Sequence, residues 1–273
     1  ERRAEALGVH AIGGSLAEVL APLSIGFLLT QVDWRGALAV SVIPTIILAL
    51  CFVTVIRAIP RVERTPFRWT RLRQLLSEWR GRAGLQIVAM FCLYNMALTA
   101  LLSMIPLYLV AVHDLSVAAA GLVFSAFLLT GAILQPWVGR FSDVSGRRPV
   151  VIVGNMVAGA VCVGMFLEPG FAMMLACMAV AFAALDSIRA AVLAAAVDHS
   201  DKQEGTTLGF AFAIMDGIGA LGALLAGIAA GFSWTAMFCL TGALAIVSAA
   251  LALSLPRKDA MKMPVSRRAA DDA

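Results

Sequence analysis

Four ionisable side chains lie inside long apolar stretches of this sequence, where few charged residues are tolerated. They are Glu18, Asp186, Arg189 and Asp216. An ionised side chain near the centre of a bilayer costs about 2.5–3.5 kcal/mol on insertion scales, so such residues usually face other protein segments or a water-filled path. We therefore treat all four as candidates for binding a substrate or for carrying a coupling proton.

Asp186 and Arg189 stand at i and i+3, which places them on one face of a helix, where they can pair. The pair could be a neutral structural unit, or it could bind or gate a substrate. Asp216 lies near the middle of its apolar run, and Gly217 and Gly219 after it permit close helix contact or local unwinding. Asp216 is the first candidate for proton coupling; a satisfied structural hydrogen bond is the alternative.

A separate polar segment, GRFSDVSGRRP, begins at Gly139 and separates two apolar runs. Gly139 allows a neighbouring helix to approach, and Gly146 allows a turn that other residues would resist. Asp143 precedes the next helix, whose free N–H groups and positive dipole end it can meet. Arg147 and Arg148 can pair with carboxylates or helix C-termini nearby. The segment could be a charged gate or only a basic turn.

Other chemistry has little support in the sequence. The five cysteines all lie in apolar runs without a CxxC pair, which favours buried free thiols over disulfides or metal ligands. The three histidines have no ligand spacing, and we find no phosphate loop, HExxH motif or nucleophile elbow. We therefore expect no catalytic residues, no metal, no cofactor and no enzymatic activity.

The composition indicates a membrane protein that positions these residues on helices. Of the 273 residues, 61% are hydrophobic and 14% are charged, against about a quarter charged in soluble domains. Apolar runs of membrane-spanning length recur along the chain. The sequence predicts an all-α polytopic membrane protein with eight transmembrane helices, at 9–31, 36–56, 85–112, 116–139, 149–167, 171–197, 206–232 and 234–255.

The basic residues support this count, because all except Arg35 and Arg189 fall on one side of the eight-span arrangement. Positive residues collect on the cytoplasmic side, so both ends of the chain are predicted to be cytoplasmic. This placement explains the net charge of +4 without a nucleic-acid partner. All basic residues but three are arginines, which is compatible with a GC-rich bacterial genome, and we expect a bacterial protein of the cell inner membrane.

The longest loop on that side, 57–84, contains a helix signal of its own. Thr65 can cap a helix whose first position is Pro66. Apolar residues then recur at i, i+3, i+4 and i+7 among arginines, namely Leu72, Leu75, Leu76 and Trp79. This pattern is typical of a basic amphipathic helix on the inner membrane surface. The alternative is a solvated linker that contacts anionic lipids.

The polar segment described above resembles the cytoplasmic loop signature of the major facilitator superfamily, G-x-L-A/S-D-R/K-x-G-R-R/K. The matching pattern here is Gly139-x-Phe141-Ser142-Asp143-x-x-Gly146-Arg147-Arg148, with Val144 at the position that is usually basic. In that family the signature lies between helices two and three and, in weaker form, between helices eight and nine. The resemblance implies a cytoplasmic gate at these residues.

The resemblance also implies a domain organisation, because a long basic loop joins the two six-helix halves of that family. Matching that loop makes the chain a fragment that covers helices five to twelve of an expected twelve. We then expect four parts: the last two helices of the N-terminal bundle (1–56), the basic linker (57–84), the six-helix C-terminal bundle (85–256) and a cytoplasmic tail (257–273).

The function that the resemblance implies is secondary active transport of a small solute by alternating access. The segment Ala21-Pro22-Leu23-Ser24-Ile25-Gly26 is similar to the G-P-x-x-G-G element of proton-driven exporters. Together with sparsely polar spans, this favours proton antiport that exports an organic or amphipathic compound, by a protein that is monomeric at full length. The alternative is a non-transporting receptor or assembly factor on the same scaffold.

Overall fold

The computed structural model describes residues 3–58, 77, 79–198 and 204–255, and every regular element among them is helical. A 3₁₀ turn spans Met165–Leu167. The α-helices are α1 (Arg3–Leu28), α2 (Trp34–Ala58), α3 (Arg82–Ala111), α4 (Val117–Ser145), α5 (Arg147–Gly164), α6 (Phe171–Ser187), α7 (Arg189–Asp198), α8 (Glu204–Phe232) and α9 (Trp234–Ala252).

Seven helical segments within the described residues are long and apolar enough to cross a membrane, which agrees with the predicted all-α polytopic fold. One of them, Phe171–Ala196, combines α6 and α7, which are separated only by a turn at Ile188. The first predicted span corresponds to α1, whose apolar part, Gly13–Leu28, is shorter than the other seven segments. The remaining predicted spans each correspond to one of the seven.

Helix α3 contacts α8 and α9 extensively, and α5 packs against α9 and α6. Small residues allow the closest approach between α3 and α8. A Cβ atom added at Gly222 would lie 2.1 Å from the carbonyl oxygen of Met96. Thr99 Oγ1 donates a 2.6 Å hydrogen bond to the carbonyl oxygen of Gly219. Such small-residue contacts are expected where helices associate through packing and interhelical hydrogen bonds.

Helix α1 packs antiparallel against α4. Toward one end, a Cβ atom added at Gly121 would lie 2.6 Å from the carbonyl oxygen of Pro22, and one added at Gly26 would lie 3.2 Å from the Val117 carbonyl oxygen. Toward the other end, Ser15 Oγ donates a 3.0 Å hydrogen bond to Gln135 Oε1. Helix α2, in contrast, leaves most of its apolar side chains exposed.

The predicted amphipathic helix falls largely outside the described residues, including Thr65, Pro66, Leu72, Leu75 and Leu76, as does the tail 257–273. Trp79 is described and is buried, with its ring edge-on to Phe91 and Phe210 at centroid distances of 5.9 and 5.6 Å. The loop therefore packs against α3 and α8 at Trp79. The four-part division of the chain stays a prediction.

Candidate functional site

An ion pair joins α1 to α7 at Arg189, the first residue after the turn that separates α6 from α7. Arg189 Nη1 lies 2.6 Å from Glu18 Oε1, and the two side chains are 25% and 41% exposed. The i, i+3 spacing predicts that Arg189 can pair with Asp186, but the ion pair of Arg189 in this structure is with Glu18. The pairing with Glu18 depends on how α1 packs, and the spacing of Asp186 and Arg189 along the sequence gives no information about that packing.

Asp186 lies in the last turn of α6 and is 4% exposed. It packs against α4, where a Cβ atom added at Gly131 would lie 2.6 Å from both Cβ and Oδ2 of Asp186. Asp186 and Glu18 both interact electrostatically with Arg189. Within the described part of the chain, the buried Nε of Arg189 has no hydrogen-bond acceptor.

Two adjacent residues of α3, Tyr94 and Asn95, contact two different polar sites, one beside Asp186 and the other at Asp216. Tyr94 donates a 2.8 Å hydrogen bond to the carbonyl oxygen of Leu185, next to Asp186. Asn95 Nδ2 donates to the carbonyl oxygen of Met215 at 2.9 Å and to Asp216 Oδ1 at 3.3 Å. The sequence signal for both residues is a polar pair in an otherwise apolar span.

Asp216 is exposed on α8, although it accepts the hydrogen bond from Asn95. Gly219 supplies the close contact expected of the neighbouring glycines, because a Cβ atom there would lie 2.2 Å from Asn95 Nδ2. Gly217 has no such contact with any described atom. Both interpretations of Asp216, as a coupling residue and as a structural acceptor, are compatible with this geometry.

The GRFSDVSGRRP segment forms a one-residue turn between α4 and α5. Gly146 has φ 95° and ψ 158°, and its N–H donates to the carbonyl oxygen of Ser142 at 2.9 Å. A positive φ of this kind favours glycine, as predicted. Asp143 precedes α5 as predicted, but it does not cap that helix: because α4 continues to Ser145, Asp143 lies in the last turn of α4 and pairs with Arg147.

Arg147 links this turn to α7. Its Nη1 bonds to Asp143 Oδ1 and, at 3.1 Å, to Ser142 Oγ, while Nε donates to Asp198 Oδ2 at 3.3 Å. Asp198, at the end of α7, was not singled out from the sequence, because its nearness to Arg147 depends on how α7 packs. Arg148 makes no ion pair or hydrogen bond in the described part of the chain.

Gly139 behaves differently from the close-contact glycines, because a Cβ atom added there would meet no described atom within 4 Å. It instead lines a cleft of about 540 Å³ between α1 and α4. The cleft also includes Leu16, Val19, Arg140 and Ala190.

Val19 and Ala190 immediately follow Glu18 and Arg189 in sequence, so the ion pair lies beside this cleft. A volume of this size suits a drug-sized molecule, and the lining is mostly apolar. Among the described residues, no group of three or more His, Cys, Asp or Glu side chains is arranged to hold a metal ion.

Comparison with known proteins gives one family. The profile described as Major Facilitator Superfamily matches residues 1–120 and 112–271. The two matches together include the α1–α4 contact, the turn at Gly146 and the ion pairs of Arg189 and Arg147. No protein of curated function matches the chain.

Proposed function

This chain belongs to the Major Facilitator Superfamily, and from that premise we propose that it exports an organic or amphipathic compound in exchange for protons. Members of the family are secondary transporters of small molecules and not enzymes. The chain is accordingly a multi-pass membrane protein. Transport would proceed by alternating access, in which two helical bundles rock about a site near the middle of the membrane.

The observation that carries the proposal is the Glu18–Arg189 ion pair, which joins α1 to the bundle formed by α3–α9. Charged groups inside a membrane are costly, and those that persist usually mark a substrate or ion path. Here the pair lies where one helix packs on another group of helices, beside an apolar cleft. This placement favours a role in binding or in the relative movement of the two sides.

We assign the cytoplasmic gate to Gly139, Asp143, Gly146, Arg147 and Arg148. Support comes from the Arg147 network, which ties the α4–α5 turn to the end of α7. Ion pairs of this kind can hold one arrangement and break in another. The cytoplasmic location rests on the distribution of basic residues, which also favours anionic lipid headgroups as neighbours of the 57–84 loop.

The compound class is supported by the lining of the cleft. Most lining side chains are aliphatic, and the polar contribution comes from Ser15, Gln135 and Arg140. A mostly apolar wall with a few polar groups suits an amphipathic molecule better than a sugar, which needs many hydrogen bonds. Asp216 and Asp186 are the two candidate carriers of the coupling proton, one exposed and one buried.

The test is accumulation of fluorescent amphipathic dyes in inside-out vesicles that contain the full-length protein, with and without a proton gradient. Export by proton exchange predicts accumulation that a protonophore abolishes. Asp216→Asn and Asp186→Asn identify the coupling residue, since the right substitution removes gradient dependence at unchanged protein abundance. Glu168→Gln, at an exposed loop position, is the matched control. Dye movement that ignores the proton gradient in the unaltered protein would overturn proton coupling.

A further inference from the structure

We propose that Arg189 alternates between two carboxylates, Glu18 on α1 and Asp186 on the adjoining helix, and that Asp186 holds the coupling proton while Arg189 is paired with Glu18. The inference rests on the proposed proton-coupled transport and assigns a proton site within it. Arg189 would thus use both of its pairings in turn: the one with Asp186 that the sequence spacing allows, and the one with Glu18 that the structure contains.

The first pairing connects separate parts of the molecule. The 2.6 Å contact between Arg189 Nη1 and Glu18 Oε1 exists only while α1 lies against the bundle. Glu18 is 41% exposed, so it can be hydrated when α1 moves away. Separation of α1 from the bundle therefore leaves Arg189 without its present carboxylate.

The second pairing is available within the bundle. Asp186 precedes Arg189 by three residues, on the other side of the turn at Ile188, and both side chains lie in the same cluster. The Arg189 Nε is buried and has no hydrogen-bond acceptor among the described residues, so its N–H could donate to a carboxylate that moves next to it. Such a donor suits the fork geometry of a guanidinium–carboxylate pair.

Charge balance gives the reason for a proton at Asp186. The charged or titratable groups that face Asp186 are Arg189, Glu18 and, from α3, Tyr94. Helix α4 presents Gly131 to it, and α5 carries no Asp, Glu, His, Lys or Arg between Val150 and Gly164.

With both carboxylates ionised and Arg189 paired with Glu18, Asp186, which is 4% exposed, would carry a buried negative charge without an ion-pair partner of its own, which is unfavourable. A proton on Asp186 removes that charge while Arg189 stays with Glu18.

The exchange balances as a single proton transfer. When α1 moves away, Arg189 leaves Glu18, the O–H bond of Asp186 breaks, and the proton passes to water in the opened space. The resulting carboxylate pairs with Arg189, and Glu18 remains ionised and hydrated on α1. Return of α1 reverses each step. One proton is therefore released or taken up for each movement of α1.

Infrared difference spectroscopy of the full-length protein in lipid tests the exchange without a substrate. A protonated buried carboxyl group gives a C=O stretching band that disappears when it ionises. We expect such a band in the unaltered protein at acidic pH and its loss at alkaline pH. Asp186→Asn should remove the band at every pH.

Glu18→Gln is the decisive variant, because a neutral residue at this position frees Arg189 to pair with Asp186. The Asp186 band should then be lost at a pH where the unaltered protein retains it. Gly14→Ala, on the same helix, is the matched control and should keep the band, because a Cβ atom added there meets no described atom within 4 Å. A band that persists in Glu18→Gln, or that survives Asp186→Asn, overturns the inference.

A second measurement uses the unaltered side chains, in case Glu18→Gln does not fold. The pH midpoint of the infrared band should equal the midpoint of a change in the spin-label distance between Leu16 and Leu129, which both line the cleft. Different midpoints contradict the exchange. The proposed function fails separately, if dye transport is independent of the proton gradient while the band and the distance still change together.

Discussion

Replacement of Gly121 by alanine should push α1 away from α4 at the end of their contact that includes Gly26. The added Cβ atom would lie 2.6 Å from the carbonyl oxygen of Pro22 and 3.3 Å from Cα of Gly26. Ordinary contacts begin at 3.4 Å, so relief of the shorter contact alone needs a displacement of about 0.8 Å, the difference between 3.4 and 2.6 Å. Both neighbours are backbone atoms and cannot rotate aside.

Overpacking of this kind costs about 1–3 kcal/mol. If α1 and α4 separate during transport, the same cost applies only to the conformation in which they touch, and it shifts the equilibrium by roughly 5–150-fold toward the separated one. Gly14→Ala is the matched control on α1, because a Cβ atom there meets no described atom within 4 Å.

Spin labels at Leu23 and Leu122, which are both exposed, would report the separation of the two helices. Gly121→Ala should raise the longer-distance population, and Gly14→Ala should leave the distribution unchanged. Equal distributions in the two variants would refute the view that this glycine contact holds one transport conformation.

Three further substitutions follow from the same geometry. Gly222→Ala should destabilise the α3–α8 contact by about 1–3 kcal/mol relative to Gly217→Ala in thermal unfolding, because only the former meets backbone atoms; equal stabilities would contradict the packing. Gly146→Ala places a Cβ at φ 95° and should cost about 1–3 kcal/mol, measured in the same assay; an unchanged unfolding temperature would contradict it. Asp198→Asn removes a partly exposed ion pair worth about 0.2–1 kcal/mol, so the stability should change little. The transport rate should fall, because the same ion pair holds the proposed gate. An unchanged transport rate would show that Arg147 and its partners are not part of the gate.

The helices and the turn at Gly146 could be predicted because their signals are local. Apolar runs of membrane length report spans directly, and the glycine between two helical runs reports a turn that needs a positive φ. Asp143 shows the limit of such signals. A carboxylate near a helix boundary can serve either helix, and its role depends on where α4 ends.

The candidate site could be predicted only in part, because its contacts join residues far apart in sequence. Asp186 and Arg189 were recognisable as charged residues in an apolar run, but the contact with Glu18 spans 171 positions and requires α1 to pack on α4. The same holds for Asp198 with Arg147 and for Asn95 with Asp216. Spacing along one helix identifies possible neighbours, whereas the packing of other helices decides which pairing forms.

The most direct test of the account is simultaneous measurement of dye and proton movement by the full-length protein in liposomes with a pH-sensitive dye sealed inside. Proton exchange predicts that an outward dye flux drives an inward proton flux. It also predicts that protons flowing down an imposed gradient drive the dye across the membrane in the direction opposite to the proton flow. Asp186→Asn should uncouple the two fluxes, and Gly14→Ala, which meets no described atom within 4 Å, should not. Movement of the organic dye without any proton movement in the unaltered protein would contradict the account.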